Sequence, residues 1–154
     1  MPRRSHPAPT VLRGLLHPAW GPLVRVTLRH AAGPAQEGLA LVDTGASMSA
    51  VDRSAALSLD LPSPGAATFF AVTATGDRHV TPLRTGQLRL GHDPRYFELD
   101  LIEVPELRAR VEGFHVVALL GWDFLGSCTL ALDGPSGTFT LGLPPPLPAS
   151  RRRG

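Results

Sequence analysis

The sequence contains no lysine, and this absence narrows the partners to consider. All fifteen basic residues are arginine, while the formal net charge is only +2. The arginines are scattered singly apart from short runs near the two ends, and no aromatic residues are interleaved with them. A nucleic-acid-binding surface normally forms a basic stripe or patch, so the sequence argues against a nucleic-acid partner. Abundant alanine, glycine and proline alongside the missing lysine indicate the codon bias of a GC-rich genome.

Cysteine is almost absent as well, and long apolar runs are missing. A single cysteine, Cys128, excludes a disulfide within the chain and gives no indication of an oxidising compartment. We interpret its thiol as a small buried apolar group rather than a nucleophile. No run approaches the roughly eighteen apolar residues of a membrane-spanning helix, and Arg13 and Pro18 interrupt any signal-peptide core. The sequence therefore predicts a cytoplasmic protein with no membrane partner.

Metal and cofactor sites also lack a signal. The six histidines show no metal-ligand spacing, so we predict no metal and no cofactor. Gly134–Gly137 precedes a β-prone run rather than a helix, which makes it a turn and not a phosphate cradle. Gly45–Ser49 is one glycine short of a nucleophile elbow. Hydrolysis through a serine nucleophile or a bound metal is therefore not indicated.

The length and the distribution of proline divide the chain into three parts. With 154 residues it forms one domain, long enough to bury about two thirds of the surface of its unfolded chain. Residues 1–18 contain four prolines and are predicted to be an N-terminal arm. Residues 144–154 are predicted to be a disordered tail rich in proline and arginine. The domain itself is predicted over residues 19–143.

Patterns with a period of two predict that this domain is mostly β. Residues 23–28 and 96–102 alternate apolar and polar side chains, as in strands with one buried face. Residues 68–72 and 79–84 flank a Gly-Asp pair and are predicted to form a hairpin. Residues 52–61 have helical or irregular character.

The most informative feature is Asp43-Thr44-Gly45, which directly follows the apolar run Gly38–Val42. Such a short run is typical of a buried strand, so the carboxylate of Asp43 is predicted to lie at a strand end in a tight turn. Backbone donors in the turn can hold the carboxylate, and another chain can approach it closely. This is a suitable place for a general acid or base.

Asp43–Ser47, with the sequence Asp-Thr-Gly-Ala-Ser, closely resembles the signature of retropepsin-like aspartic proteases. Val116–Leu120 followed by Gly121–Leu125 is similar to the second element of that family, an apolar strand that ends in glycine and runs into a helix. Leu130–Leu141 is similar to the closing strands of the bacterial members. The resemblance covers roughly residues 20 to 143 and implies a bacterial member of the family.

The resemblance implies a mostly-β, single-domain, closed β-barrel with one short helix after Gly121, a flap hairpin and activity as a homodimer. The chain carries one Asp-Thr-Gly and is too short for two lobes, so the second carboxylate would come from Asp43 of another copy at a two-fold axis. Thr44 is expected to form a hydroxyl bridge between the protomers and Gly45 to lie beside the substrate backbone. Ala46 is expected to complete the active-site loop.

The same resemblance assigns two further groups of residues. The residues expected at the flap tip, which closes over bound peptide, are Ala74, Thr75, Gly76 and Asp77. The alternative for this segment is a plain surface hairpin. The residues expected in the second structural element are Leu119, Leu120 and Gly121. Asp123 is interpreted as a cap or an ion-pair partner at the start of the following helix.

The implied reaction is hydrolysis of peptide bonds by a water activated between two Asp43 carboxylates that share one proton. Water is the nucleophile, so the reaction needs neither a covalent intermediate nor a metal. The alternative is a catalytically silent dimeric domain that keeps the same fold for peptide binding or assembly. An intact Asp-Thr-Gly favours the enzyme, because a scaffold has no need for an unpaired buried carboxylate.

Overall fold

The computed structural model describes residues 8–65, 68–72, 76–107 and 110–146, and only the backbone of residues 68–72 and 79 within these ranges. This part of the chain forms eleven strands and two short helices. The strands are β1 (Val11–His17), β2 (Gly21–Arg29), β3 (Ala35–Val42), β4 (Ala50–Asp52), β5 (Thr68–Val72), β6 (Arg78–Leu90), β7 (Phe97–Val104), β8 (Arg110–Val111), β9 (Phe114–Leu120), β10 (Thr129–Asp133) and β11 (Thr138–Gly142). The helices are α1 (Arg53–Ser58) and α2 (Trp122–Leu125).

Six of these strands close into a barrel. Their order is β2-β3-β9-β4-β7-β6, and β6 pairs with β2 to complete the ring. The pairings β3–β9 and β4–β7 are parallel, while the others in the ring are antiparallel. Closure satisfies the backbone groups that an open sheet would leave at its edges. The predicted mostly-β closed barrel is thus confirmed.

Alternating side chains fill the barrel. On β2, Val24, Val26 and Leu28 are buried, whereas the residues between them are more exposed. This follows from strand geometry, because successive side chains point to opposite faces. Leu101 of β7 and Leu120 of β9 are fully buried in the same cluster. The apolar runs that predicted strands therefore form the core.

Three strands outside the ring extend the sheet. β1 pairs with β11, with Leu12 opposite Leu141, and β11 pairs with β10. The end of β1 also pairs with the start of β2, which joins this extension to the barrel. Both Leu12 and Leu141 are buried in the main core. The N-terminal arm predicted over residues 1–18 therefore contains a strand, held by a partner from the other end of the chain.

Helix α1 lies where the sequence predicts helical or irregular structure, so the described chain has a second helix besides the one predicted after Gly121. Before α1, the carboxylate of Asp52 accepts hydrogen bonds from Ser54 N at 2.9 Å and Leu107 N at 2.7 Å. Burial favours the protonated form of Asp52, but these hydrogen bonds outweigh it and lower its pKa. Neither helix in the described ranges has the length and apolar character needed to cross a bilayer.

Two buried carboxylates are neutralised by arginine. Glu103 of β7 is 2.8 Å from Arg53 Nε and 2.7 Å from Arg84 Nε, which joins β7 to α1 and β6. Asp93, in the turn after β6, is 2.8 Å from Arg95 Nη2. A buried charge is tolerated when it is paired and hydrogen-bonded, so these arginines are the condition for burying both carboxylates.

Candidate active site

Asp43 follows the last residue of β3, at the point where β3 and β9 end side by side. The two strands are parallel, with Val42 opposite Leu120. The backbone N–H of Asp43 donates to the carbonyl oxygen of Leu120 at 3.0 Å, which extends the pairing by one residue. Leu120 is fully buried and Leu119 half-buried. The barrel wall thus fixes the backbone that carries the Asp43 carboxylate.

The turn after Asp43 is held by its own backbone. Gly45 N donates to Asp43 Oδ1 at 2.8 Å, and Ala46 N is 3.3 Å from the carbonyl oxygen of Asp43. A Cβ atom at position 45 would lie 3.2 Å from Asp43 Oδ1, which is a tight contact, so glycine suits the position. The carboxylate therefore has the backbone donor that the sequence leads us to expect.

Gly121 allows the chain between β9 and α2 to pack closely against the backbone that follows Asp43. A Cβ atom at this position would lie 2.6 Å from the carbonyl carbon and oxygen of Met48 and 2.9 Å from the carbonyl oxygen of Ala46. Backbone atoms cannot yield as a flexible side chain can, so any larger residue would push the two segments apart. The predicted strand, glycine and helix at Leu119–Leu125 are all present, and the glycine is required by close approach.

Two backbone hydrogen bonds and one buried side chain join this corner to the turn. Trp122 N donates to the Ala46 carbonyl at 2.9 Å, and Asp123 N donates to the Ser47 carbonyl at 3.2 Å. Ser49 is completely buried, and its hydroxyl donates to Asp123 Oδ1 at 2.7 Å while accepting from Gly121 N at 3.0 Å.

Asp123 also accepts from the backbone of Ser49 at 2.9 Å and of Phe124 at 3.0 Å. The N-cap of α2 is Gly121, and the helix start has no side-chain cap hydrogen bond, so the interpretation of Asp123 as a cap is wrong: Asp123 lies in the first turn. No ion pair among the described residues involves Asp123 either. Its bonds to Ser49 were not predicted. The sequence does show the hydroxyl of Ser49 directly before the apolar pair Ala50-Val51, which indicates a polar group close to the core. Its partner Asp123 could not be predicted, because it lies 74 residues further along the chain.

Trp122 adds a contact that the sequence analysis missed. Its indole Nε1 donates to the carbonyl oxygen of Thr44 at 2.6 Å, although 54% of the residue is exposed. Thr44 and Gly45 are themselves exposed. The indole therefore lies at the surface, over the loop that carries Asp43.

The Asp43 carboxylate is accessible and has no cationic partner in the part of the chain that the structure describes. It is half-buried, and Gly45 N is its hydrogen-bond donor within the described part of the chain. None of the ion pairs among the described residues involves Asp43. Asp43 Oδ2 accepts no hydrogen bond from these residues, so it is available to a water, a substrate or a second carboxylate.

Residues 35–127 match the family model described as "gag-polyprotein putative aspartyl protease". The match spans more than half of the chain and includes both Asp43 and Gly121. The chain belongs to this aspartyl protease family. No curated protein matches the chain.

The fold of this family member is also found in a solved structure. The crystal structure of a retropepsin-like aspartic protease from Rickettsia conorii matches it with a TM-score of 0.53 and 15% sequence identity. The match covers 88% of this chain and 94% of the other. At this identity the likeness shows a shared retropepsin-like fold, while the reaction has to be argued from the residues.

The hairpin expected in this member of the family is formed by β5 and β6, which pair from Thr68 opposite Pro82 to Val72 opposite Arg78. Of the predicted flap-tip residues, Ala74 and Thr75 lie outside the described residues. Gly76 has a φ of 85°, in the left-handed region that favours glycine. Asp77 is exposed and directly precedes β6.

Cys128 has no part in the site. Its thiol lies 3.6 Å from the carbonyl oxygen of Phe124, in the turn after α2, and is half-buried. Burial raises the pKa of the Cys128 thiol to about 11, so the thiol stays protonated at neutral pH. This agrees with its interpretation as a small packing group.

Proposed function

We propose that this member of the aspartyl protease family is an endopeptidase that works as a homodimer. The observation that carries the proposal is the state of Asp43. Its carboxylate is half-buried in an exposed turn, receives one backbone hydrogen bond and has no cationic partner among the described residues. The corner around Gly121 holds the turn that carries this carboxylate through backbone hydrogen bonds from Trp122 and Asp123. A carboxylate held in place but not neutralised is suited to taking up and releasing a proton.

The second carboxylate would come from another copy of the chain. One chain supplies one Asp-Thr-Gly. In a two-fold dimer the same patch of both protomers meets at the axis, so two Asp43 side chains lie next to each other and form one site. Two carboxylates a few ångströms apart cannot both ionise readily, so the pair holds one proton between them.

The proposed reaction uses this shared proton. The ionised Asp43 takes a proton from a water, whose oxygen attacks the carbonyl carbon of the peptide bond. The protonated Asp43 donates to the carbonyl oxygen, and the roles then reverse to protonate the leaving amine as the C–N bond breaks.

Neighbouring residues would support the reaction by position. Thr44 would bridge the two protomers through its hydroxyl, and Gly45 would allow the substrate backbone to approach. Ala46 would leave the pair without a hydroxyl donor at that position. Leu119–Gly121 would act through the barrel wall, and the hairpin tip at residues 74–77 would close over an extended peptide. We propose the cytoplasm as the working environment.

Cleavage of a denatured protein substrate tests the proposal. Wild type should release new peptide ends, and a transition-state-mimicking inhibitor of aspartic proteases should stop it. Asp43→Asn should be inactive, whereas Asp100→Asn should match wild type, because Asp100 is an exposed residue of β7 that contacts Thr85. Binding of peptide without cleavage by wild-type dimer would instead support the silent, peptide-binding alternative.

A further inference from the structure

The indole of Trp122 and the carboxylate of Asp43 bond to opposite sides of one peptide group. Trp122 Nε1 is 2.6 Å from the carbonyl oxygen of Thr44, and Gly45 N is 2.8 Å from Asp43 Oδ1. The carbonyl of Thr44 and the N–H of Gly45 belong to the same planar unit, and in a trans peptide they point in opposite directions. Rotation of this unit would break both hydrogen bonds together.

On its carbonyl side, this peptide group is held by Trp122 within the described chain. The backbone bonds from α2 hold the carbonyls of Ala46 and Ser47, which lie two and three peptide groups further along. Within the described chain, Thr44 O accepts its hydrogen bond from Trp122 Nε1. Glycine at position 45 tolerates the backbone angles of either orientation, so the turn alone does not prevent rotation.

We propose that Trp122 is a positioning residue for the proposed reaction. Its indole N–H fixes the Thr44–Gly45 peptide so that the N–H of Gly45 stays directed at the catalytic carboxylate. The bond matters beyond packing, because 54% of Trp122 is exposed and burial therefore supplies only part of what holds the ring. The catalytic consequence rests on the proposed function, whereas the orientation of the peptide does not.

A hydrogen bond to an ionised carboxylate favours the ionised form. If Trp122 loses its N–H and the peptide rotates, the carboxylate loses this donor and ionises at higher pH. The acid limb of the pH–rate profile should therefore move to higher pH, by about half to one unit for one such bond. We expect kcat to fall about tenfold, because the base is less well held, with a smaller change in KM.

Other charged groups near the loop do not account for such a shift. The charged groups on the elements that pack against the loop are Glu37 on β3, His115 on β9, Asp52 at the end of β4 and Asp123 on α2. The carboxylate of Asp123 accepts hydrogen bonds from Ser49 and Phe124. The carboxylate of Asp52 accepts hydrogen bonds from Ser54 and Leu107. Glu37 and His115 lie towards the far ends of their strands. In the proposed dimer the facing group is the second Asp43.

The experiment compares Trp122→Phe with Trp20→Phe, a matched control because Trp20 lies in the turn between β1 and β2 and is 46% exposed. Phe keeps an aromatic ring but has no N–H. A second variant, in the Trp20→Phe background, replaces Trp122 by 3-benzothienylalanine, which preserves the shape of indole and substitutes sulfur for the N–H. This variant separates the hydrogen bond from the packing of the ring.

Two measurements are made on each variant. The first is the amide proton shift of Gly45, observed with carbonyl-labelled threonine and nitrogen-labelled glycine, which selects the three Thr-Gly peptides at Gly45, Gly76 and Gly86. The second is the pH–rate profile of peptide hydrolysis. In both Trp122 variants the Gly45 proton should move upfield, towards its position in Asp43→Asn, and the acid limb should move to higher pH. Trp20→Phe should behave as wild type.

A Gly45 shift that stays at its wild-type value in both Trp122 variants would overturn the inference. So would a shifted Gly45 resonance with an unchanged acid limb, because the indole would then hold the loop without affecting the carboxylate. If wild type shows no hydrolysis but its Gly45 resonance responds as expected, the proposed function fails and the positioning of the peptide by Trp122 stands.

Discussion

Asp43 and Asp93 are both held in turns that follow strands, yet their surroundings are opposite. Asp93 is 1% exposed. Its carboxylate accepts three hydrogen bonds from Arg95: from the backbone N–H and from Nε at 2.9 Å, and from Nη2 at 2.8 Å. Hydrogen bonds from Arg95 hold the pKa of Asp93 well below its usual range. Asp43 is half-buried and has, among the described residues, one backbone donor and no cationic partner. The fold thus locks the Asp93 carboxylate in its charged form and leaves the Asp43 carboxylate without a counter-charge among the described residues.

The largest effect should come from removing the free carboxylate. Asp43→Asn is nearly isosteric but cannot act as a base, so we expect hydrolysis to fall by about 10²–10⁴-fold. Folding and dimerisation should persist, with stability unchanged or slightly higher because like charges no longer meet at the axis. Activity assays, thermal melts and sedimentation check these points. More than a few per cent of wild-type turnover would mean that another group is catalytic.

Removing the Asp93 carboxylate should instead lower the stability of the protein and leave its activity unchanged. Asp93→Asn leaves Arg95 without its counter-charge in a largely buried site, and we expect a loss of about 3 kcal/mol in the free energy of unfolding. Activity per folded dimer should be retained.

The effect of Asp93→Asn should also depend on pH in a defined direction. Because the pKa of Asp93 is lowered in the folded state, its contribution is present above the unfolded pKa of about 4 and is lost as pH falls below it. Denaturant titrations of both proteins from pH 7 to pH 3 should therefore show a difference in stability that is constant down to about pH 4 and then narrows, without closing at pH 3, because the folded pKa of Asp93 lies well below that. A constant difference across this range would show that the charge of Asp93 is not what stabilises the turn.

Protein concentration should affect the roles of Asp43 and Asp93 differently, although the change in activity is smaller than in Asp43→Asn. Asp93 finds its partner within the chain, whereas Asp43 is proposed to need a second copy. Specific activity should fall on dilution through the dimer dissociation constant, while the effect of Asp93→Asn on a monomer's stability should persist. Mixing wild type with an equal amount of Asp43→Asn should leave about a quarter of dimers with two carboxylates. A monomer with full activity by sedimentation would refute the shared site.

The smallest effect should come from giving Asp43 one more donor. Ala46 offers no hydroxyl, and Ser47 Oγ makes no hydrogen bond to Asp43 in the described structure. We expect a wild-type optimum at roughly pH 5–7, because the pair keeps its shared proton to higher pH. Ala46→Ser should move the profile towards acid by at most about one unit. A wild-type optimum near pH 3, or a shift towards base in the variant, would contradict this assignment.

The sequence was sufficient where the signal is local. The apolar runs before Asp43 and Gly121 predicted β3 and β9, and the turn residues after them predicted the sharp changes of direction. The strand β1 was not predicted, because prolines on both sides of it favour irregular structure and its partner β11 is remote in sequence. The bonds of Ser49 and Trp122 were missed for a related reason: each joins positions more than seventy residues apart.

The pairing of Asp43 with Leu120 also bears on when the chain can become active. Contacts between residues so far apart form late, because the intervening chain has to be ordered before they can be made. During synthesis Asp43 leaves the ribosome well before Gly121 and Trp122, so its loop has nothing to hold it. We expect a nascent or partly unfolded chain to be unable to cut its neighbours. Hydrolysis by the proposed site would then begin only after β3 and β9 have paired and the barrel has closed.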